Sequence, residues 1–154
     1  MLHGMNPDLR ILIGEDDEND VVLLQRALLR AGITNPTYIC RDGQEVINYL
    51  KGDPPYTNRE QFPFPRMLIL DLKMPLLTGL DVLRWIRGHP DCSVIPTLVL
   101  TTSAHERDVS EAYRVGANAY LVKPGSFDEL VSLLKLMGEF WGRCQLPPLD
   151  IASC

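Results

Sequence analysis

Five short apolar runs recur along this chain, each followed by a stretch with helical spacing. The runs are Leu9-Arg-Ile-Leu-Ile13, Tyr38-Ile-Cys40, Met67-Leu-Ile-Leu70, Thr97-Leu-Val-Leu-Thr101 and Ala119-Tyr-Leu-Val122. Runs of this length bounded by glycine, proline and acidic turns read as strands buried on both faces. Strands buried on both faces and alternating with helices imply right-handed crossovers, a parallel sheet and a doubly wound three-layer α/β sandwich. The common five-strand order for that architecture is 2-1-3-4-5, with its switch point between strands one and three.

The segments between the runs supply the helices. From Asn19 or Asp20 to Arg30, apolar residues Val21, Leu24, Ala27 and Leu28 fall at three- and four-residue spacing, and Gly32 follows as a C′ residue. Asp42-Gly43 opens a second helix with Val46, Ile47 and Leu50 on its apolar face, stopped by Gly52. Gly79–Arg87 and Glu106–Val115 read as the third and fourth. Ser126-Phe-Asp-Glu129 has capping-box spacing and starts a fifth, reaching about Trp141 before Pro147 and Pro148. The organisation expected is a flexible lead over 1–8, one domain over 9–141 and a tail over 142–154. Residues 52–66, with Pro54, Pro55, Pro63 and Pro65, are too proline-dense for regular structure and read as a functional loop or accessory surface.

At 154 residues the chain can bury one sizeable core without metal or disulfide staples. A net charge of −5 with scattered Lys and Arg argues against a nucleic-acid surface. Neither a signal peptide nor a membrane-length apolar span is present in the sequence, so the expected home is the cytoplasm. Cys40, Cys92, Cys144 and Cys154 form no C-x-x-C pair, and free thiols are expected. His3, His89 and His105 are isolated and suggest no metal site.

The chemistry gathers where the strands end. Glu15 and Asp16 follow strand one, Asp71 follows strand three, Thr101 closes strand four and Lys123 follows strand five. In an open parallel sheet these positions share one rim, the rim where ligands bind. Carboxylates that crowd together repel unless a cation relieves them. Hard oxygen ligands of this kind suit Mg²⁺ with several waters retained. Beside a metal, an ammonium and a hydroxyl can share the charge of a phosphoryl group arriving on Asp71, and a carboxylate nucleophile yields an acyl phosphate.

Glu15-Asp16, Asp71, Thr101 and Lys123-Pro124, with Met74-Pro75 and Gly79, resemble the receiver domain of two-component response regulators. The resemblance spans residues 9 to about 141. It implies that Asp71 is the phosphoacceptor, that Asp16 and Asp71 bind Mg²⁺ directly with the Lys73 carbonyl, and that Glu15 acts through a water. It further implies phosphoryl contacts from Thr101 and Lys123, a switch role for Tyr120, tuning by Thr102 and Ser103, and a cis bond at Lys123–Pro124. Asp17 falls one position past the acidic pair and reads as a carboxylate near a helix N-terminus.

A family member of this kind takes its phosphoryl group from a sensor histidine kinase and has no substrate of its own beyond self-catalysed phosphorylation and dephosphorylation. The 52–66 insertion and the long final helix resemble stand-alone receivers that partner phytochrome-type kinases, with a phosphotransfer or effector protein downstream. The fifth helix is apolar around much of its circumference, from Phe127 to Trp141, which suggests a homodimer through that region. Two rivals are a receiver that binds partners without phosphorylation and an aspartyl-nucleophile phosphatase. The phosphatase reading is disfavoured because such enzymes place their nucleophile after strand one.

Overall fold

The computed structural model describes residues 9–148 and Cys154, so the expected lead over residues 1–8 lies outside the described residues. The strands are β1 (Ile11–Gly14), β2 (Thr37–Cys40), β3 (Met67–Leu70), β4 (Thr97–Thr101) and β5 (Ala119–Val122). The helices are α1 (Glu18–Arg30), α2 (Gly43–Lys51), α3 (Gly79–Gly88), α4 (Glu106–Val115) and α5 (Phe127–Arg143). The strands form one parallel sheet in the order β2-β1-β3-β4-β5. Alternation along each central strand splits the core in two. Leu12, Leu68, Leu70 and Val99 face the layer that holds α2 and α3. Ile11, Ile13, Met67, Ile69, Leu98 and Leu100 face the layer of α1 and α5. This period-two division is what a strand buried on both faces requires.

Helix starts follow local chemistry. Asp17, Asp42, Thr78 and Ser126 each accept a hydrogen bond from the backbone N–H three residues on, satisfying an orphan donor of the first turn. The full reciprocal capping box occurs at Thr78 and Asp81, where α3 begins. Gly79 is pressed against β3, and a Cβ there would lie 2.3 Å from the Asp71 carbonyl oxygen.

The proline-dense insertion is not a loose loop. Tyr56 and Phe64 are buried in the core, and the Tyr56 hydroxyl donates to Glu45 of α2. The Arg59 guanidinium donates to the carbonyls of Tyr49 (2.8 Å), Leu50 (2.9 Å) and Phe62 (3.2 Å), sealing the end of α2. The Tyr49 ring packs tilted against that of Tyr56, with centroids 4.9 Å apart, and its hydroxyl donates to the Pro63 carbonyl. The prolines exclude regular structure, while the aromatics supply the apolar area that fixes the segment.

Two expectations are corrected. Cys92 and Cys154 are joined by a disulfide, with Cα atoms 5.5 Å apart, while Cys40 and Cys144 are free. The fold brings together two sulfurs 62 residues apart, a long-range pairing that local spacing does not reveal. The Lys123–Pro124 bond is trans, and the cis bond among the described residues is Pro54–Pro55. The trans preference of an X-Pro bond, about 0.5–1 kcal/mol, prevails at Lys123, and from that conformation the ammonium already reaches three carboxylates.

Candidate phosphoacceptor site

Because all five strands are parallel, the residues that follow β1, β3, β4 and β5 meet at one rim. Asp71 is buried there, with both carboxylate oxygens engaged. Its Oδ1 accepts from the Thr101 hydroxyl at 2.9 Å and from the Lys73 backbone N–H at 3.0 Å. Its Oδ2 accepts from the Lys123 ammonium at 2.6 Å. That ammonium also donates to Glu15 at 2.5 Å and to Asp20 at 3.1 Å. Glu15 is nearly fully buried and holds its other oxygen 3.1 Å from the Asp17 backbone N–H.

The charges sort themselves accordingly. Burial pushes the Glu15 carboxyl up, the Lys123 ammonium opposes that shift, and neighbouring Asp71 raises it further, to about 7. Burial acts on Asp71 in the same direction, but hydrogen bonds from Lys123, Glu15 and the Lys73 N–H hold its carboxyl below the usual range. Lys123 loses solvation too, yet its carboxylate partners hold its ammonium well above the ordinary value. Asp71 is therefore the anion of the pair, the state a nucleophile needs.

The sequence-derived set is brought together in part. Glu15, Asp71, Thr101 and Lys123 converge. Asp16 is exposed, and the carboxylates that lie within 4.8 Å of one another are those of Glu15, Asp20 and Asp71. Asp20 was the residue missed. Its signal is its place three residues after the N-cap Asp17, where its N–H is bonded at 3.0 Å and its side chain turns to the rim. Thr102 is exposed and, with Lys123, Pro124 and Leu23, lines a cleft between α1 and the start of α5. Tyr120 is half-buried, and its hydroxyl donates to the Ser103 carbonyl at 2.8 Å.

These donors suit a hard divalent cation. Three carboxylates share one ammonium, leaving net negative charge at a rim where oxygen ligands converge. A Cys- or His-rich soft-metal site is absent among the described residues.

A parallel sheet of this order, an acidic rim and a buried Asp–Thr–Lys contact define a receiver. Residues 11–135 match the family described as response regulator receiver domain, and the chain belongs to that family. It is 35% identical over 136 residues to response regulator Rcp1 of Synechocystis sp., covering 88% of this chain and 90% of Rcp1. The solved Mn²⁺-bound form of Rcp1 superposes with a TM-score of 0.80 at 34% identity, over 91% of this chain and 99% of that one. The phosphorylated cyanobacterial phytochrome response regulator RcpA gives 0.83 at 32% identity, over 92% and 99%. A response regulator in red light signaling of R. palustris gives 0.86 at 31% identity, over 91% and 99%.

Proposed function

We propose that this receiver accepts a phosphoryl group on Asp71 from a sensor histidine kinase of the phytochrome type. The observation that carries the reading is Asp71 itself: ionised, buried, and contacted by Thr101, Lys123 and the Lys73 N–H. An Asp71 oxygen attacks phosphorus as the bond from phosphorus to the kinase histidine nitrogen breaks, and the departing imidazole keeps the electron pair. Mg²⁺ would be held by Asp16, Asp71 and the Lys73 carbonyl, with Glu15 acting through a water and Asp20 beside them, and would neutralise charge on the transferring oxygens. Lys123 and Thr101 then exchange their Asp71 contacts for phosphoryl oxygens.

Signalling follows from that exchange. Thr101 and Tyr120 flank the start of α4, so new phosphoryl contacts redistribute the chain between two arrangements of the α4, β5 and α5 surface. The chain acts in the cytoplasm on a phosphotransfer or effector protein; no helix among the described residues is long and apolar enough to cross a membrane. Incubation with acetyl phosphate and Mg²⁺ tests the acceptor. A base-labile adduct should form on the wild type and vanish in Asp71→Asn and in EDTA. An adduct retained by Asp71→Asn would overturn the assignment, and no adduct at all would favour a phosphorylation-independent binding module.

A second reading concerns self-association. Leu136 and Phe140 remain 64% and 63% exposed on α5, beside an apolar groove lined by Leu121, Leu133 and Met137. Leu146 and Trp141 line a neighbouring pocket and leave Leu136 and Phe140 exposed. We infer a homodimer through this face, and a monomer in sedimentation velocity at high micromolar concentration, with and without acetyl phosphate, would refute it.

A further inference from the structure

Helix α4 is attached to the domain unlike its neighbours. Ala112 is its one buried residue, and its N-cap His105 makes no side-chain capping bond. A helix with so little apolar anchorage takes its position from polar contacts, and local opening concentrates in such elements. Two of those contacts lead to residues placed at the switch. The Ser103 hydroxyl donates to Asp108 in the first turn of α4, at 2.5 Å. In the last turns, the Tyr113 hydroxyl accepts from the backbone N–H of Tyr120 at 3.1 Å.

These bonds close on themselves. Asp108 is tied to Ser103, whose carbonyl accepts the Tyr120 hydroxyl, and the N–H of that same Tyr120 returns to Tyr113 on α4. The ring therefore grips α4 in its first turn and again toward its C-terminal end, and passes through Tyr120 by both its side chain and its backbone. β5 is the edge strand of the sheet, so the Tyr120 N–H has no further strand to pair with. Tyr113, half exposed and otherwise a surface residue, supplies the missing acceptor.

We propose that Tyr113 is a positioning residue that locks α4 to Tyr120, making this hydrogen-bond ring the element through which the rim sets the α4 surface. The proposal deepens the signalling reading above and rests on it for its biological meaning. The ring itself is a property of the unphosphorylated protein and is tested there. A displacement of Tyr120 breaks two links at once, its N–H bond to Tyr113 on α4 and its hydroxyl bond to the Ser103 carbonyl. It so loosens the Tyr113 end of α4 directly and the Ser103–Asp108 end through Ser103, leaving Ala112, Val115 and the Arg84–Glu111 ion pair to hold the helix.

Amide hydrogen exchange on the full chain decides the matter. In Tyr113→Phe, the Tyr120 amide should exchange about three- to tenfold faster, the loss of one neutral hydrogen bond. The α4 amides should accelerate as well, while Asp71 labelling by acetyl phosphate stays at the wild-type rate. Tyr120→Phe removes the other side of the ring, and the double variant should open α4 hardly further than either single change. Additive effects would show two independent surface contacts and overturn the ring. An unchanged Tyr120 amide in Tyr113→Phe would overturn the contact itself. Absence of an Asp71 adduct on the wild type would refute the phosphoacceptor reading alone, because the exchange measurements need no phosphoryl group.

Discussion

Among the described residues, Lys123 is the cation that pairs with all three carboxylates of Glu15, Asp20 and Asp71, whose oxygens lie within 4.8 Å of one another. Lys123→Met keeps most of the side chain's length and removes its charge. At an effective dielectric constant near 20, two unit charges at that separation repel by about 3.5 kcal/mol. Removing one partner of a buried ion pair typically costs about 3–5 kcal/mol. Asp20 is 39% exposed, so solvent screens its share and the lower end applies. In EDTA at pH 8, the variant should lose about 3 kcal/mol in urea unfolding. The sign of the pH dependence follows from Glu15. Its folded carboxyl titrates at about 7, raised from 4.5, so the neutral form favours the fold. That contribution is fully present below 4.5 and is lost as pH rises through 7. Without the ammonium, protonated Glu15 is favoured further, and the deficit of the variant should shrink toward pH 5.5. Mg²⁺ should then stabilise the variant more than the wild type, in which the metal competes with an ammonium already in place; at a hundredfold excess over Kd a ligand adds about 2.7 kcal/mol. Equal stability in EDTA at pH 8, or an identical Mg²⁺ gain in both proteins, would refute this account of the rim.

Three further outcomes follow from the same contacts. Gly79→Ala places a Cβ 2.3 Å from the Asp71 carbonyl and 2.9 Å from Leu72 Cα. Backbone must move, so about 1–3 kcal/mol should be lost, together with Asp71 labelling by acetyl phosphate; wild-type melting and labelling would contradict it. Arg59→Ala removes donors to two carbonyls at the end of α2, those of Tyr49 and Leu50, and to the Phe62 carbonyl of the insertion. It should cost at least about 2 kcal/mol and open residues 52–66 to limited proteolysis while leaving Asp71 labelling intact. Unaltered protease resistance would show that the aromatic contacts alone hold the segment. Because a metal must displace the Glu15 proton, Mn²⁺ affinity measured by calorimetry should fall with decreasing pH below 7, by up to about tenfold per unit. A flat profile between pH 5.5 and 7 would place Glu15 outside the metal's influence.

How much of this was legible beforehand depends on whether a signal is local. Asp71 was visible because four apolar residues run straight into it, and β4 and β5 were bounded correctly because turn chemistry flanks them. Thr101 and Lys123 followed from the parallel topology alone, since strand ends must share a rim. Asp20 was hidden because a carboxylate in the first turn of a helix already has a sufficient local role beside the helix dipole. Only the capping bond to Asp17, which sets the rotation of α1, directs its side chain toward Lys123. The prolines of the insertion bar regular structure, and that much is legible in the sequence. Tyr56, Phe62 and Phe64 between them were the unread sign that the segment packs.

The same distinction bears on the switch. Thr101 already donates to Asp71, and Tyr120 already bonds the Ser103 carbonyl, before any phosphoryl group is present. The rim is thus preorganised, and phosphorylation does not have to draw Thr101 inward from elsewhere. On the proposed acceptor reading, a phosphoryl group would change the charge that Lys123 and Thr101 serve, from a carboxylate oxygen each to phosphoryl oxygens. A shift of that kind can be transmitted only by elements that are loosely seated, because a packed core does not deform continuously. With one buried residue and polar ties at each end, α4 meets that condition, whereas α3, with Val82, Leu83 and Ile86 fully buried, does not. On the proposed acceptor reading, α4 is thus the helix through which the rim would act, because it has the fewest buried residues of the five.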